Sequence, residues 1–177
     1  MEEARLIDGS PPATPDQVLR RLDELGVDVR THRHPPVFTV DEAKALRGSI
    51  EGAHLKNLFL RNKKGQMWLL VTPENRALDL RKVGALIGSG RLSFASRERL
   101  MKYLGVIPGA VTPLAVINDT SQSVRVAIDS ELLTCDALNV HPLDNGMTTS
   151  IPPDGLLRFL EAERHAPLVI SFDAPSD

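Results

Sequence analysis

The sequence predicts a single domain of mixed α/β or α+β class, and two observations carry that prediction. The chain has 177 residues, of which 42% are apolar and 25% are charged, an ordinary balance for one globular domain. Apolar residues recur at helical spacing in some segments and form short, strand-like runs in others, without a regular strand–helix–strand rhythm. We expect the domain to span residues 14–173, after a flexible N-terminal arm over residues 1–13.

The first predicted helix begins with a capping box. Thr14 is the cap, Pro15 occupies the first helical position, and Gln17 follows the cap by three residues. The apolar residues of this helix are Val18, Leu19, Leu22 and Leu25, which recur at helical spacing. Gly26 marks its end.

A β-hairpin is predicted at the centre of the sheet. Its strands are residues 54–61 (HLKNLFLR) and 66–72 (QMWLLVT), and residues 62–65 supply a polar, glycine-containing connection. Both strands carry large apolar residues on both faces, which is typical of central strands covered on each side. Before the hairpin we expect an extended segment over residues 27–39 and a short helix over residues 41–48.

Further short elements are predicted after the hairpin. They are helices at 79–87 and 96–104, a strand fragment at 92–95, strands at 114–118, 124–128 and 137–142, a turn at 144–146, and a last helix that begins at Pro152-Pro153. The segment GVIPGAVTP (105–113) is predicted to be a loop because of its glycines and prolines.

Charge and composition limit the classes of function. The net charge is −2, whereas proteins that hold nucleic acid mainly by electrostatics are strongly basic or have a basic face. Any RNA contact is therefore expected to be local, brief or assisted by a partner. Residues 1–15 lack the pattern of a signal peptide, and no segment reaches the ~18 apolar residues that a membrane span needs. The lone Cys135 cannot form an internal disulfide, so we expect a soluble, cytoplasmic protein.

No cofactor motif is present in the sequence. It contains no phosphate loop of the GxxxxGK[ST] type, no GxGxxG, no GxSxG elbow and no HExxH. Four histidines lack a ligand-like spacing: His32, His34, His54 and His165. We therefore expect neither a metal nor a cofactor. Cys135 is interpreted as a small buried hydrophobe more readily than as a nucleophile.

Two side chains and one loop stand out as candidates for chemistry. Lys56 lies among the apolar residues of a predicted central strand; its ammonium either reaches solvent at a strand end or binds a phosphate or carbonyl. His141 follows a predicted strand, where an imidazole is either structural or catalytic. The loop at 105–113 either makes turns only or offers backbone N–H groups to a carboxylate, phosphate or ester oxygen.

Three sequence segments resemble one known family. They are GAHLKNLFL (52–60), GVIPGAVTPL (105–114) and HPLDN (141–145) with Thr148. In order and spacing they are similar to the YbaK/ProX family, the free-standing relatives of the editing domain of bacterial prolyl-tRNA synthetases. The resemblance covers roughly residues 16–163. The KNLFL string most resembles the ProXp-ala branch, also called PrdX-like deacylases.

The resemblance implies a twisted mixed β-sheet flanked by helices and the hydrolysis of mischarged aminoacyl-tRNA in trans. The partner it implies is proline tRNA carrying alanine, with a transient complex with prolyl-tRNA synthetase and with no membrane or DNA partner. The catalytic residues it implies are Lys56, Asn57 and His141. The substrate-binding residues it implies are Gly105, Pro108, Gly109, Thr112 and Asn145.

Other functions remain open at the level of sequence. Relatives act on cysteine and serine, so the preferred amino acid is not fixed. The chain could instead be a module that binds aminoacyl-tRNA or amino acids without hydrolysis, or a subunit that acts only when docked on a synthetase. The retained Lys56, Asn57 and His141 argue for hydrolysis, and the negative net charge favours docking.

Overall fold

The computed structural model describes residues 4–35, 45 and 50–172. The α-helices in this part of the chain are α1 (Pro15–Glu24), α2 (Leu80–Ile87), α3 (Arg97–Leu104) and α4 (Pro153–Ala162). The strands are β1 (Arg30–Arg33), β2 (Ala53–Arg61), β3 (Met67–Pro73), β4 (Ser93–Phe94), β5 (Val124–Asp129), β6 (Leu138–Val140), β7 (Met147–Ile151) and β8 (Leu168–Ile170). Three 3-10 helices lie at Pro108–Ala110, Pro113–Asn118 and Ser130–Thr134.

The strands form one mixed sheet in the order β1-β7-β6-β2-β3-β5-β8, with β4 paired to β2 outside this path. The hairpin strands β2 and β3 lie at its centre and pair antiparallel over seven positions, from Leu55↔Pro73 to Arg61↔Met67. Parallel pairs join β2 to β6, β3 to β5 and β5 to β8, while β1, β7 and β6 pair antiparallel. The mixed sheet of the sequence prediction is therefore confirmed.

The core consists of one apolar layer on each face of the sheet. On one face, Phe59 and Leu69 pack in the cluster that contains the apolar residues of α1, α3 and α4. On the other, Leu60 and Leu70 pack with Val83 of α2. Because side chains alternate along a strand, neighbouring residues of β2 and β3 belong to different clusters, one on each face. The central strands are apolar on both faces for this reason, as the sequence indicated.

Local signals predicted most helix boundaries. The capping box of α1 is present: Thr14 Oγ1 accepts a hydrogen bond from the Gln17 amide, and Gln17 Oε1 accepts one from the Thr14 amide. Helices α2, α3 and α4 begin within one residue of the positions the sequence predicts. The predicted helix over residues 41–48 and residues 36–39 of the extended segment lie outside the described residues, apart from Ala45.

The predicted strand at 114–118 is wrong, because this segment is a 3-10 helix, Pro113–Asn118. Pro113 occupies its first position, and Thr112 Oγ1 accepts a hydrogen bond from the Leu114 amide at 3.3 Å. The segment packs between α3 and α4, and it is not hydrogen-bonded into the sheet formed by the described strands. A helical turn satisfies its backbone locally, which a strand in this position could not do. Strands β7 and β8 were not predicted.

Residues 4–13, expected to be flexible, pack against the domain. Leu6 is buried, the Ile7 amide donates to the Lys102 carbonyl at 2.9 Å, and the Ala13 amide donates to Asn118 Oδ1 at 2.8 Å. These hydrogen bonds hold residues 6–13 against α3 and the 3-10 helix that follows it.

Candidate functional site

A cleft of about 320 Å³ opens beside the junction of β2 and β6. These strands pair at only two positions, Ala53↔Leu138 and His54↔Asn139, and the cleft is lined by the residues that follow on both. Its polar lining residues are His54, Asn57, Glu74, Asn139, His141, Asn145 and Thr148. Apolar walls come from Leu55, Val111 and Val140, and one side is closed by Pro108 and Gly109.

His141 is held as a neutral hydrogen-bond acceptor. Its Nδ1 lies 2.9 Å from the Met147 carbonyl oxygen, which can only accept, so Nδ1 carries the proton. Burial lowers the pKa of His141 below its ordinary value of 6.5, and this outweighs the hydrogen bond to Met147, which raises it. At neutral pH the imidazole is therefore uncharged, and Nε2 has a lone pair to offer in the cleft.

Two asparagines add further acceptors. Asn139 Nδ2 donates to the Glu51 carbonyl at 3.0 Å, which fixes the orientation of the amide. The Oδ1 atoms of Asn139 and Asn57 are both buried and have no hydrogen-bond partner within the described part of the chain. A buried amide oxygen without a partner costs free energy, about 1–3 kcal/mol, so both atoms are suited to receive a donor from a ligand.

The loop that closes the cleft is shaped by a glycine. Pro108–Ala110 form a short 3-10 helix, in which the Ala110 amide donates to the Ile107 carbonyl at 2.9 Å. A Cβ on Gly109 would lie 3.3 Å from Asn145 Nδ2, closer than most carbon contacts. The absence of a side chain lets the amide of Asn145 approach this backbone, so both line the same wall of the cleft.

Five of the eight residues singled out from the sequence line this cleft: Asn57, Pro108, Gly109, His141 and Asn145. Their positions suit a ligand-binding role, and their individual roles remain predictions.

The other three residues predicted from the sequence, Lys56, Thr112 and Gly105, do not line the cleft. Lys56 is on the face of β2 opposite Asn57, and its Nζ donates to the Arg76 carbonyl at 2.6 Å. Thr112 is fully buried and caps the 3-10 helix Pro113–Asn118. Gly105 ends α3 in the left-handed conformation, with φ +67°.

Four residues of this region were not singled out from the sequence. His54, Glu74 and Asn139 line the cleft, and His34 contacts one of its lining residues. His34 Nε2 lies 2.9 Å from Thr148 Oγ1, although 114 residues separate the two in the chain. Neither the spacing of the histidines nor the pattern of β1 signals this contact, because it depends on the pairing of β1 with β7. Only knowledge of the strand order would have revealed it.

Replacing Gly105 by alanine is expected to lower the free energy of unfolding by about 1–3 kcal/mol through backbone strain and crowding. A Cβ there would lie 2.5 Å from Asn118 Nδ2, and Asn118 joins the end of α3 to the arm. Gly88→Ala is the matched control, since Gly88 ends α2 at φ +73° with nothing within 4 Å of the added Cβ. Urea denaturation of both variants measures the difference. A smaller loss in Gly105→Ala than in Gly88→Ala, with weakened binding of substrate, would instead support the substrate-binding role.

The described residues contain no group of three or more His, Cys, Asp or Glu side chains placed to hold a metal ion. None of the helices in that part of the chain is long and apolar enough to cross a membrane.

Comparisons with known proteins identify the family of this chain. A family model for the aminoacyl-tRNA editing domain matches residues 34–159. The prolyl-tRNA editing protein ProX of Acetoanaerobium sticklandii is 38% identical over 82% of this chain and 89% of that protein. The prolyl-tRNA synthetase associated domain-containing protein 1 of Danio rerio is 34% identical over 98% of this chain and all of that protein.

Solved structures agree on the fold. A crystal structure of a protein proposed as a trans-editing enzyme for prolyl-tRNA synthetase superposes with a TM-score of 0.67 at 21% sequence identity. The superposition covers 89% of this chain and 95% of that one. At this identity the likeness establishes the architecture, a mixed sheet flanked by helices.

Proposed function

This chain belongs to the aminoacyl-tRNA editing domain family, and we propose that it hydrolyses the ester of mischarged tRNA in trans, in the cytoplasm. The preferred substrate in this proposal is alanine esterified to proline tRNA. The names of the relatives support it, since one is a prolyl-tRNA editing protein and the other carries a domain associated with prolyl-tRNA synthetase.

The observation that carries the proposal is the excess of hydrogen-bond acceptors in the cleft. Within the described part of the chain, Asn57 Oδ1 and Asn139 Oδ1 have no hydrogen-bond donor, and His141 Nε2 is an acceptor because Nδ1 carries the proton; all three residues line one small cavity. The α-ammonium of an aminoacyl group and the hydroxyls of the terminal ribose are donors. An ionised carboxylate or a phosphodiester has no donor and would be repelled by these oxygens.

The proposed reaction is direct attack of water on the aminoacyl ester. His141 Nε2 accepts a hydrogen bond from the attacking water and orients its oxygen toward the ester carbon. As the carbon–oxygen bond to the ribose breaks, one proton of the attacking water passes through the neighbouring ribose hydroxyl to the leaving ribose oxygen. The products are the free amino acid and a tRNA with both ribose hydroxyls restored. The amide of Asn145 and the backbone beside Gly109 are suited to stabilise the developing oxyanion. An aminoacyl ester is already activated, so orientation and charge stabilisation suffice without a serine or cysteine nucleophile.

The size of the cleft is the basis proposed for selectivity. A synthetase pocket built for proline cannot strongly reject the smaller alanine, because a missing methylene is worth only about 1–3 kcal/mol. A second pocket that admits alanine and excludes the proline ring corrects the error. Leu55, Val111 and Val140 form apolar walls that could set this limit.

Deacylation assays with four substrates test the proposal. Proline tRNA is charged with alanine, cysteine, serine or proline, and release of each amino acid is followed with purified protein. We expect rapid loss of alanine and survival of the prolyl ester. Hydrolysis of all four at equal rates would contradict the size argument. Hydrolysis of none, with prolyl-tRNA synthetase also present, would favour the binding-module function.

Lys56→Met is expected to lower kcat/KM for alanyl-tRNA by roughly 10-fold to 100-fold, because charge-assisted hydrogen bonds contribute about 1.5–3 kcal/mol. In this proposal the Lys56 ammonium gives up its hydrogen bond to the Arg76 carbonyl and contacts a tRNA phosphate instead. The slope of log affinity against log salt should then fall by about one. Lys64→Met, in the turn of the β2–β3 hairpin, is the control.

A lower kcat/KM in Lys56→Met with an unchanged salt slope would contradict the phosphate contact. Lys56 would then act through the hydrogen bond that holds the segment between β3 and α2, where Glu74 lines the cleft.

The net charge of −2 supports a transient complex with prolyl-tRNA synthetase as part of the same proposal. A protein with so little positive charge gains little affinity for tRNA from electrostatics alone. Adding the synthetase should therefore lower the KM for alanyl-tRNA. Equal KM values with and without the synthetase would mean that the protein recognises its tRNA unaided.

A further inference from the structure

A histidine outside the three segments that resemble the family contacts the wall of the cleft. His34 follows β1, and its backbone amide donates to the Gly146 carbonyl at 2.9 Å, which continues the pairing of β1 with β7. The His34 ring is bonded at both nitrogens: Nδ1 lies 2.9 Å from the Pro35 carbonyl oxygen and Nε2 lies 2.9 Å from Thr148 Oγ1. Thr148 is buried and lines the cleft.

These contacts fix the direction of the hydroxyl of Thr148 when the ring is neutral. The Pro35 carbonyl can only accept, so the single ring proton sits on Nδ1. Nε2 must then be an acceptor, and the Thr148 O–H donates to it. With its proton engaged, Thr148 Oγ1 has only lone pairs left to offer in the cleft. A threonine hydroxyl, which can usually donate or accept, is restricted to accepting.

Thr148 also stands next to His141. The register of β6 and β7 pairs Val140 with Thr149, and continuing it by one residue sets His141 opposite Thr148. Side chains in such pairs are about 4.5–5.5 Å apart at Cβ. His141 is neutral because burial lowers its pKa, so no positive charge on that ring repels a cation at this point.

We propose that His34 is a positioning residue that makes Thr148 Oγ1 an acceptor for the α-ammonium of the aminoacyl group. The contact would make hydrolysis selective for esters with a free amine next to the carbonyl. This inference rests on the proposed deacylase function and assigns to Thr148 and His34 the recognition of one part of the substrate.

The test compares two esters of the same shape. Lactyl-tRNA differs from alanyl-tRNA only in a hydroxyl where alanine has its ammonium, so both fit a pocket that is limited by size. Assays are run at about pH 7.2, above the ordinary pKa of histidine, about 6.5, and below that of an α-amino group, about 7.7–8.0, so that the ring is mostly neutral and the amine mostly charged. The wild-type protein is expected to hydrolyse alanyl-tRNA at least roughly 10-fold faster in kcat/KM than lactyl-tRNA, as a charge-assisted hydrogen bond would produce.

Thr148→Val removes the hydroxyl and keeps the shape of the side chain. It should lower kcat/KM for alanyl-tRNA by roughly 10-fold or more and that for lactyl-tRNA by a smaller factor, because a neutral hydroxyl donates a weaker hydrogen bond than an ammonium, while Thr148→Ser retains the wild-type ratio. His34→Phe should lower the ratio in the same direction, and the double variant His34→Phe/Thr148→Val should be no worse than Thr148→Val alone.

Thr149→Val is the matched control on the same strand. Thr149 is also buried, but its Oγ1 bonds Thr31 Oγ1 at 2.9 Å, away from the cleft. It should leave the ratio of alanyl to lactyl hydrolysis unchanged. Equal losses for both esters in Thr148→Val, or an unchanged ratio, would overturn the inference while the deacylase function stands. Failure of the wild-type protein to hydrolyse either ester would count against the proposed function itself.

Discussion

Replacing His141 by asparagine is expected to lower kcat for deacylation by roughly 100-fold or more, as loss of a positioned proton acceptor generally does. The amide nitrogen of asparagine sits where Nδ1 does in histidine, so the variant can keep the hydrogen bond to the Met147 carbonyl. What it loses is Nε2, the atom proposed to orient the attacking water. Single-turnover deacylation of alanyl-tRNA measures the effect, with thermal unfolding as a check that the fold is retained.

His141→Gln separates two versions of this role. Glutamine places its amide near the position of Nε2 and can accept a hydrogen bond, but it cannot take up a proton at neutral pH. Substantial activity in this variant would mean that His141 only orients water or substrate, and activity as low as that of His141→Asn would indicate proton transfer. Full activity in both variants would remove His141 from the mechanism.

The pH profile supplies an independent check on His141. Its pKa is lowered by burial, so the neutral, accepting form persists below pH 6.5 and is lost as the pH falls through the lowered value. Activity should therefore be insensitive to this group between about pH 7 and pH 8 and decline only in acid. A decline centred above pH 6.5 would contradict the assignment.

Replacing Asp119 by alanine is expected to cost about 3–5 kcal/mol of stability, since it leaves a buried charge without its partner. Asp119 Oδ2 accepts from His165 Nε2 at 2.8 Å and from the Val124 amide at 2.8 Å, and both side chains are almost fully buried. His165 Nδ1 donates to the Glu163 carbonyl at 2.6 Å, so both ring nitrogens act as donors and the ring is an imidazolium. Urea denaturation of the variant measures the loss, and a loss under about 1 kcal/mol would contradict a buried ion pair.

The same pair sets a dependence of stability on pH. Burial opposes the charge on His165, but the hydrogen bonds to Asp119 and to the Glu163 carbonyl outweigh it and raise the pKa of His165 above 6.5. A raised value in the folded state stabilises the protein fully below pH 6.5, and this contribution is lost as the pH rises through the folded pKa. The difference in unfolding free energy between wild type and His165→Gln should therefore shrink from about pH 6 to about pH 9. A constant difference would mean that His165 is not charged in the fold.

The elements that the sequence predicted correctly are those with local causes. The capping residues Thr14 and Gln17 and the turn at 62–65 act within a few residues, so pattern alone locates α1 and the β2–β3 hairpin. The segment 114–118 was misread because its apolar, partly β-branched residues are typical of a strand. Its burial between two helices, rather than propensity, decides its conformation. Strands β7 and β8 are short, and β7 carries three hydroxyl side chains, which hides it from hydropathy patterns.

In the candidate site, too, the residues marked by a local sequence signal were predicted, and the contacts that depend on the fold were not. Asn57, His141 and the loop residues could be picked out because the resemblance to a family marks them in the sequence. Neither periodicity nor resemblance located the cavity. Strand alternation puts Lys56 and Asn57 on opposite faces of the sheet, but it does not indicate which face carries the cleft. The contact of His34 with Thr148 depends on the pairing of distant strands, which a single sequence does not encode in any local signal.

The pairing of β1 with β7 also determines when the site can exist during synthesis. Arg30 pairs with Ser150, and β7 in turn connects β1 to β6, so among the described strands β1 joins the sheet through a strand that is synthesised much later. A nascent chain that has emerged as far as residue 146 contains the β2–β3 hairpin and the helices α1, α2 and α3, yet it lacks Thr148 and the strand that holds His34. Contacts between such distant segments form late, because the loop between them must be closed first. The candidate cleft therefore cannot form until β7 has been synthesised, however early the hairpin at the centre of the sheet folds.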